Sequence, residues 1–323
     1  MLTKFQYSDE IREETSKNGI KIVTVCAPTD FSVAQTFDCG QCFRFDPTPD
    51  GDGTSDVCGV TFGHSVRIRQ SGDTVTIYGA DADDYFNIWR SYLGFDIDYS
   101  LLSADILAHF PTGSIMTEAA EYGKGIRILA QDPFETLISF IISQNNNIPR
   151  IRKIIKKISI EYGVNICLQK NIKKCPLSKI DGSPCEEKCR SCGVCYTFPT
   201  ADAVNKNPEK LLSSSPGFRY KYLCDAADKV TRGEVNLKMI AAARSYEHTK
   251  SCLTEIKGVG DKVASCTALF GFGNLEAFPI DVWMKRAIDE YFDGTLDPAT
   301  LGKYAGVAQQ YIFHYIRNLQ KKQ

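Results

Sequence analysis

The chain has 323 residues, 43% of them hydrophobic and 24% charged, and a formal net charge of −1. That length suits two domains with separate cores or one large one, and the composition is that of a soluble globular chain. No apolar run reaches the roughly 20 residues a membrane helix needs, and the start "MLTKFQYSDEIREE" lacks the apolar stretch of a secretory signal. Thirteen cysteines without such a signal read as thiols or metal ligands in a reducing compartment rather than as a disulfide scaffold.

The charge divides unevenly. Residues 1–110 hold 17 Asp and Glu against 8 Lys and Arg, which leaves 22 of the 39 acids and 30 of the 38 bases to the remainder. Within that remainder, 145–195 has 11 bases against 4 acids and 301–323 has 4 against none. Solvated basic faces are common, but an asymmetry of this size is also what a phosphate-facing C-terminal part produces.

From about 20 to 110 the chain reads as strand. "GIKIVTV", "HSVRIRQ" and "DTVTIYG" are short, β-rich and alternating, and are separated by Gly, Asp, Pro and Ser clusters such as "DPTPDGDGTSD". They predict a small antiparallel sheet, with "ADDYFNIWRSYL" as a helix near its end. From about 115 the period becomes 3.6. "DPFETLISFIISQNNNIPRIRKIIKKI" has Asp132 as a predicted N-cap, Pro133 at the first helical position and Glu135 three residues after the cap. Further helices are expected at "GFRYKYLCDAADKV", "YEHTKSCLTEI", "DKVASCTALFGFG", "DVWMKRAIDEYF" and "LGKYAGVAQQYIFHYIRNLQ". The expected fold class is α+β: an N-terminal antiparallel β-sheet domain over 1–115, then a helical domain over 116–323 with a Cys-rich insert at about 170–198.

"SCLTEIKGVGDKVASCTALF" reads as helix, tight turn, helix. Gly258 and Gly260 suit a turn that needs positive φ or close approach of another backbone. The second helix then offers free amide N–H groups and a positive dipole end, an anion site for which a DNA phosphate is the natural occupant; a plain αα-hairpin is the bland alternative. Lys262 lies in the first turn, where the dipole disfavours an ammonium. Positive potential and burial both favour the neutral amine of a lysine, and a neutral amine is a nucleophile. Asp281, nineteen residues on, follows Pro279 and precedes an amphipathic helix that it is expected to cap. A fixed, ionised carboxylate there can stabilise positive charge developing on a sugar ring. A surface lysine and an ordinary N-cap are the plain readings of each alone; the pair at this spacing is harder to dismiss.

"GVGDKVA…FPIDVW" resembles the hairpin and aspartate of the helix-hairpin-helix glycosylases with a GPD motif. "FDCGQCFRF" (37–45) looks like the G-Q-S-F-R-W element of the 8-oxoguanine DNA glycosylase/AP lyase branch, with Cys42 in place of its serine. "SQNNNIPRI" (143–151) is similar to that branch's S-S-N-N-N-I-A-R-I. These motifs occur in family order over most of the chain. The resemblance implies an enzyme that flips and excises 8-oxoguanine paired with cytosine, then nicks the strand by β-elimination. By resemblance, Lys262 attacks C1′ and forms a Schiff base, with Asp281 as its electrostatic partner. The carbonyl of Gly40 accepts from N7–H of the oxidised base. Gln309 reads the Watson–Crick edge, and Phe313 and Cys266 flank the two faces, although either alone is ordinarily a core residue. Asn145, Arg150 and Arg219 hold the orphaned cytosine, and Phe218 is the aromatic wedge. One departure is Trp283, where the family often has histidine. With so low an overall basicity, the salt dependence of DNA binding should be modest.

The family pattern leaves "CPLSKIDGSPCEEKCRSCGVCYTFP" (175–199) unexplained. Cys185, Cys189, Cys192 and Cys195 form C-x3-C-x2-C-x2-C, which can hold zinc or an iron–sulfur cluster, or remain a basic loop with reduced thiols. No cofactor is required for the chemistry. The expected partner is double-stranded DNA containing an oxidised guanine, with no membrane and a monomeric state. The expected location is cytoplasmic, with the nucleoid in a prokaryote, or nuclear in a eukaryote. The alternatives are a glycosylase of the same superfamily with another damaged base, or a non-catalytic hairpin DNA-binding protein; the second would not need Lys262, Asp281, Gly40 and Phe313 together.

Overall fold

The computed structural model describes residues 11–17, 19–48, 55–169 and 195–320. Six strands, β1 (Arg12–Thr15), β2 (Lys21–Cys26), β3 (Phe45–Thr48), β4 (Ser55–Thr61), β5 (His64–Ser71) and β6 (Thr74–Tyr78), form one antiparallel sheet in the order β1-β2-β6-β5-β4-β3. Its register is set by apolar residues that meet across the strands. Val57 pairs with Ile68, Ile68 with Ile77 and Ile77 with Val23, and all four are buried. A one-residue slip of any central strand would turn this row to solvent. Trp89, in the helical segment 82–92, packs on the same face.

Three strands in this sheet carry no alternating apolar pattern. β1 is "REET" and wholly exposed. β3 and the start of β4 fall inside the cluster predicted as a turn. β3 contains Pro47 and tolerates it because it is the last strand of the sheet, where one side of the ladder is unpaired.

The helices that carry the site are α1 (Val33–Asp38), α2 (Tyr99–Leu107), α3 (Ile115–Tyr122), α4 (Pro133–Ser143), α5 (Ile148–Tyr162), α6 (Tyr220–Thr231), α7 (Tyr246–Thr254), α8 (Asp261–Phe272), α9 (Val282–Tyr291) and α10 (Ala305–Gln320). α2 lies in the stretch expected to be mainly strand, yet buries Tyr99, Leu102 and Ile106 in the helical core. The 132–158 stretch is two helices rather than one. Asp132 caps α4 as expected, accepting from Glu135 N at 2.8 Å, with Pro133 at the start. The chain then breaks because Asn145 is left-handed (φ 47°) and Asn147 caps α5, accepting from Arg150 N at 3.0 Å. No described helix is long and apolar enough to cross a membrane.

The segment 37–45 belongs to two cores at once. Phe37, Cys42 and Phe45 enter the sheet core, whereas Cys39 and Phe43 enter the helical core. Gln41, also buried, braces the crossing. Its Nε2 donates to the carbonyls of Thr36 (2.9 Å) and Arg127 (2.7 Å), and its Oε1 accepts from Leu129 N at 2.8 Å. Gln131 Nε2 donates back to the Gln41 carbonyl at 2.8 Å. Buried polar groups stripped of a partner cost about 1–3 kcal/mol each, so Gln41→Ala should lower unfolding stability by about 2–4 kcal/mol. Urea denaturation of the two proteins reads this directly, and a change under 0.5 kcal/mol, the usual reach of a surface substitution, would contradict the bracing role.

Candidate active site and nucleic-acid interface

The predicted hairpin is present. α7 ends at Thr254, the chain turns through Lys257–Gly260, and α8 starts at Asp261. Gly258 has φ 77°, and a Cβ there would lie 2.4 Å from the Tyr222 ring, so both conformation and an approaching side chain, not a backbone, require glycine. Gly260 is the N-cap, open on its Cβ side and without a side-chain cap, which leaves the first amides of α8 directed outward. The turn is fixed to α6. Lys257 N donates to Asp225 Oδ2 at 2.8 Å, and Lys257 and Lys229 both pair with the Asp225 carboxylate. Those neighbours hold the Asp225 carboxyl below its usual range despite its partial burial.

Lys262, half-buried in the first turn of α8, donates from Nζ to Ser143 Oγ at 3.1 Å. Its ammonium stands 5.0 Å from the centroid of Phe140, which in turn stacks on Phe270 at 5.5 Å. The amine is therefore seated on an aromatic floor supplied by α4 and α8. Asp281 caps α9 as expected: its Oδ1 accepts from Met284 N at 2.9 Å. Both residues line one pocket of about 440 Å³, a volume within the range of small-molecule sites.

The pocket also collects the residues expected to hold a base. Gly40 (φ 83°) faces Phe313, and a Cβ on it would stand 3.3 Å from the ring and 3.8 Å from Arg317 Nη1. Cys266 is buried on the same wall. Burial pushes its thiol up to about 11, with Lys262 one turn earlier pulling the other way, so Cys266 presents a neutral, polarisable surface at neutral pH. Gln309 is buried, and its Oε1 accepts no hydrogen bond from the described residues. Such an orphaned acceptor is costly unless a ligand satisfies it. Trp283 lines the mouth, with Arg286 over its ring at 5.7 Å.

The three asparagines of "QNNNI" have separate tasks. Asn145, exposed and left-handed, makes the turn; Asn146 donates to Ile142 O at 3.1 Å; Asn147 caps α5. Arg150 is exposed at the start of α5. Arg219, by contrast, is buried and turned inward. It donates from Nε to Gln144 O at 2.9 Å, from Nη2 to Asn145 O at 2.9 Å and from Nη1 to Pro216 O at 3.2 Å. Its donors hold the Asn145 turn in this structure instead of facing outward with Arg150. Phe218, beside it on the Gly217–Arg219 turn, is 52% exposed, as an inserting ring must be.

Three further contacts shape the site with no signal in the local sequence. Ser143 receives the lysine, Gln310 Nε2 donates to Cys39 O at 2.6 Å, and Arg317 Nη1 donates to Asp38 O at 2.8 Å. The last two tie α10 to the loop that carries Gly40. Cys42, where the family has serine, is buried in the sheet core. Of the cysteine set, Cys185, Cys189 and Cys192 lie outside the described residues. Cys195 is buried, and its carbonyl accepts from Ile166 N at 2.8 Å. Among the described residues no group of three His, Cys, Asp or Glu stands close enough to hold a metal.

This geometry has counterparts. Residues 23–137 match the family model of the 8-oxoguanine DNA glycosylase N-terminal domain. The Clostridium acetobutylicum 8-oxoguanine glycosylase/lyase, solved with double-stranded DNA containing cytosine opposite 8-oxoguanine, superimposes with a TM-score of 0.80. It is 31% identical, with 97% of this chain and 99% of that one covered. The Arabidopsis thaliana N-glycosylase/DNA lyase OGG1 is 27% identical over 88% of this chain and 77% of its own length. A Saccharomyces cerevisiae N-glycosylase/DNA lyase is 34% identical over 50% of this chain, a match that spans only 41% of the yeast protein. With sequence motifs, sheet, hairpin and pocket in agreement, the chain belongs to the 8-oxoguanine DNA glycosylase/lyase family.

Proposed function

We propose that the protein removes 8-oxoguanine from opposite cytosine in duplex DNA and cleaves the strand at the resulting site. The observation that carries this is a single pocket lined by Lys262, Asp281, Cys266, Gln309 and Phe313, at the end of a hairpin suited to phosphate. A base can enter such a pocket only by leaving the stack. Phe313 and Cys266 then cover its faces, the orphaned Gln309 amide takes its polar edge, and the Gly40 carbonyl accepts the N7–H that unmodified guanine lacks. One hydrogen bond distinguishes the two bases by about 1–3 kcal/mol, so earlier inspection steps must add to the selectivity. The exposed Phe218 ring fills the vacated stack, while Asn145 and Arg150 meet the orphaned cytosine. Arg219 joins them by exchanging its carbonyl contacts.

The bond changes balance without a metal or cofactor. Once one ammonium proton has passed to solvent, the Lys262 nitrogen lone pair forms a bond to C1′ as the bond from C1′ to the base breaks, and the base departs with that electron pair. Asp281 stabilises the positive charge on the sugar as it develops. Loss of a proton from nitrogen and opening of the sugar ring give the Schiff base. Removal of a C2′ proton then expels the 3′ phosphate, which is the strand nick. A duplex-DNA substrate favours the nucleoid-bearing cytoplasm of a prokaryote, or a nucleus, as the place of action. The four cysteines of the insert are proposed as a structural metal site on spacing alone.

On a duplex with 8-oxoguanine opposite cytosine, the protein should release the free base and nick the damaged strand, whereas Lys262→Gln should do neither. Failure of the unaltered protein to release the base would overturn the reading in favour of a binding hairpin. Asp281→Asn separates chemistry from folding. Asparagine caps helices about as well as aspartate, so the melting temperature should hold while single-turnover base release falls at least a hundredfold, and an unchanged rate would remove Asp281 from the chemistry.

A further inference from the structure

We propose a second phosphate site: a basic cleft of about 300 Å³ between α5 and the 43–46 segment, lined by Arg44, Asp46, Arg152, Lys153 and Lys156. It takes a backbone phosphodiester of the duplex beyond the flipped nucleotide, and it rests on the reading above that the protein acts on duplex DNA.

The cleft starts from the two-faced sequence of α5. Ile151, Ile154, Ile155 and Ile158 are buried on one side. The opposite side carries Arg150, Arg152, Lys153, Lys156 and Lys157, with Glu161 at the far end engaged by Lys210. Two of the cleft's cations are already matched: Arg44 pairs with the buried Glu135 at 3.1 Å, and Arg152 with Asp46 at 3.0 Å. Lys153 and Lys156 are exposed and make no ion pair with any described residue. The cleft therefore has two cations in excess, directed around a concave space, in a chain whose overall charge is −1. Arg152 Nε, buried without a hydrogen-bond partner among the described residues, leaves one more donor unused on the same wall.

Position favours the duplex as the source of the anion. Phe43 is a wall of both this cleft and the catalytic pocket. α5 begins at the Asn147 cap beside the turn assigned to the orphaned cytosine, and Lys156 lies about 9 Å further along the axis than Arg150 at 1.5 Å per residue. Successive phosphates of one strand advance about 3.4 Å along a duplex, so DNA held at Arg150 brings backbone within reach of Lys153 and Lys156 without further bending. This site also answers a mismatch between charge and task. The hairpin offers a phosphate only main-chain amides, and the cleft supplies side-chain cations where the polar face of α5 concentrates them.

The test compares the unaltered protein with Lys153→Gln/Lys156→Gln on long duplexes, with and without 8-oxoguanine, across 50–200 mM salt. Each phosphate contact adds about 0.9 to the slope of log K against log salt. The variant should therefore lose about 1–2 from that slope on both duplexes and bind severalfold more weakly at low salt. Single-turnover base release at saturating DNA should be unchanged, which separates the cleft from the chemistry. An unaltered slope in a variant that still excises would overturn the proposal and leave the catalytic reading intact. If neither protein excises yet the slope still falls, the cleft stands and the catalytic reading fails. Inorganic phosphate supplies the last arm at constant ionic strength. If it perturbs the Nζ resonances of the two lysines while duplex DNA leaves them unmoved, the cleft serves a free anion and the proposal is overturned.

Discussion

The site depends on how the 38–41 loop is held between two cores. Phe37, Cys42 and Phe45 face the sheet, Cys39 and Phe43 face the helices, and the Gln41 amide binds the strand-side and helix-side backbones together. Because burial makes every one of those hydrogen bonds costly to break, Gly40 cannot shift relative to α10 without disturbing both cores. Gln310 and Arg317 complete the tie from the α10 side. Phe313 lies on the same helix, and its ring meets Gly40 as a consequence of that tie. A base pocket that distinguishes one hydrogen bond needs walls with this degree of fixation, since a displacement of about 1 Å costs as much as the discrimination gives.

Reactivity is concentrated at helix starts. α8 opens on uncapped amides and places Lys262 in its first turn; α9 places Asp281 as its cap; α5 is capped by Asn147 next to the turn built by Asn145. Side-chain caps fix Asp281 and Asn147, and the hydrogen bond from Ala264 N to Gly260 O fixes the start of α8, so the polar groups need little reorganisation when charge develops. The floor under Lys262 is apolar, Phe140 on Phe270, and Ser143 Oγ accepts from its Nζ.

Much of this was legible in the sequence, and the parts that were not share physical causes. The strands β2, β5 and β6 alternate in polarity and were readable; β1 buries nothing, and β3 carries a proline that only an outermost strand admits. Capping at Asp132 and Asp281 was readable because it follows from neighbours three residues away. The break after Ser143 is marked in the sequence by five polar residues in a row, 143–147, and by Pro149, but the apolar spacing on either side of them reads as one helix. Lys262, Asp281 and the glycines were found as motifs. Ser143, Gln310 and Arg317 were not, because their contacts join residues 119, 271 and 279 positions apart. Arg219 shows the limit from the other side: its motif position suggests an outward contact, whereas three backbone carbonyls draw it inward.

The central claim is that one particular nitrogen, Lys262 Nζ, becomes covalently bound to the damaged nucleotide. The most direct measurement is mass-spectrometric mapping of the adduct left after borohydride reduction on a duplex carrying 8-oxoguanine opposite cytosine. The account predicts a sugar remnant on the peptide containing Lys262 and on no other. A remnant on another lysine or on the N-terminal amine, or a protein that releases the base without any reducible adduct, would contradict it.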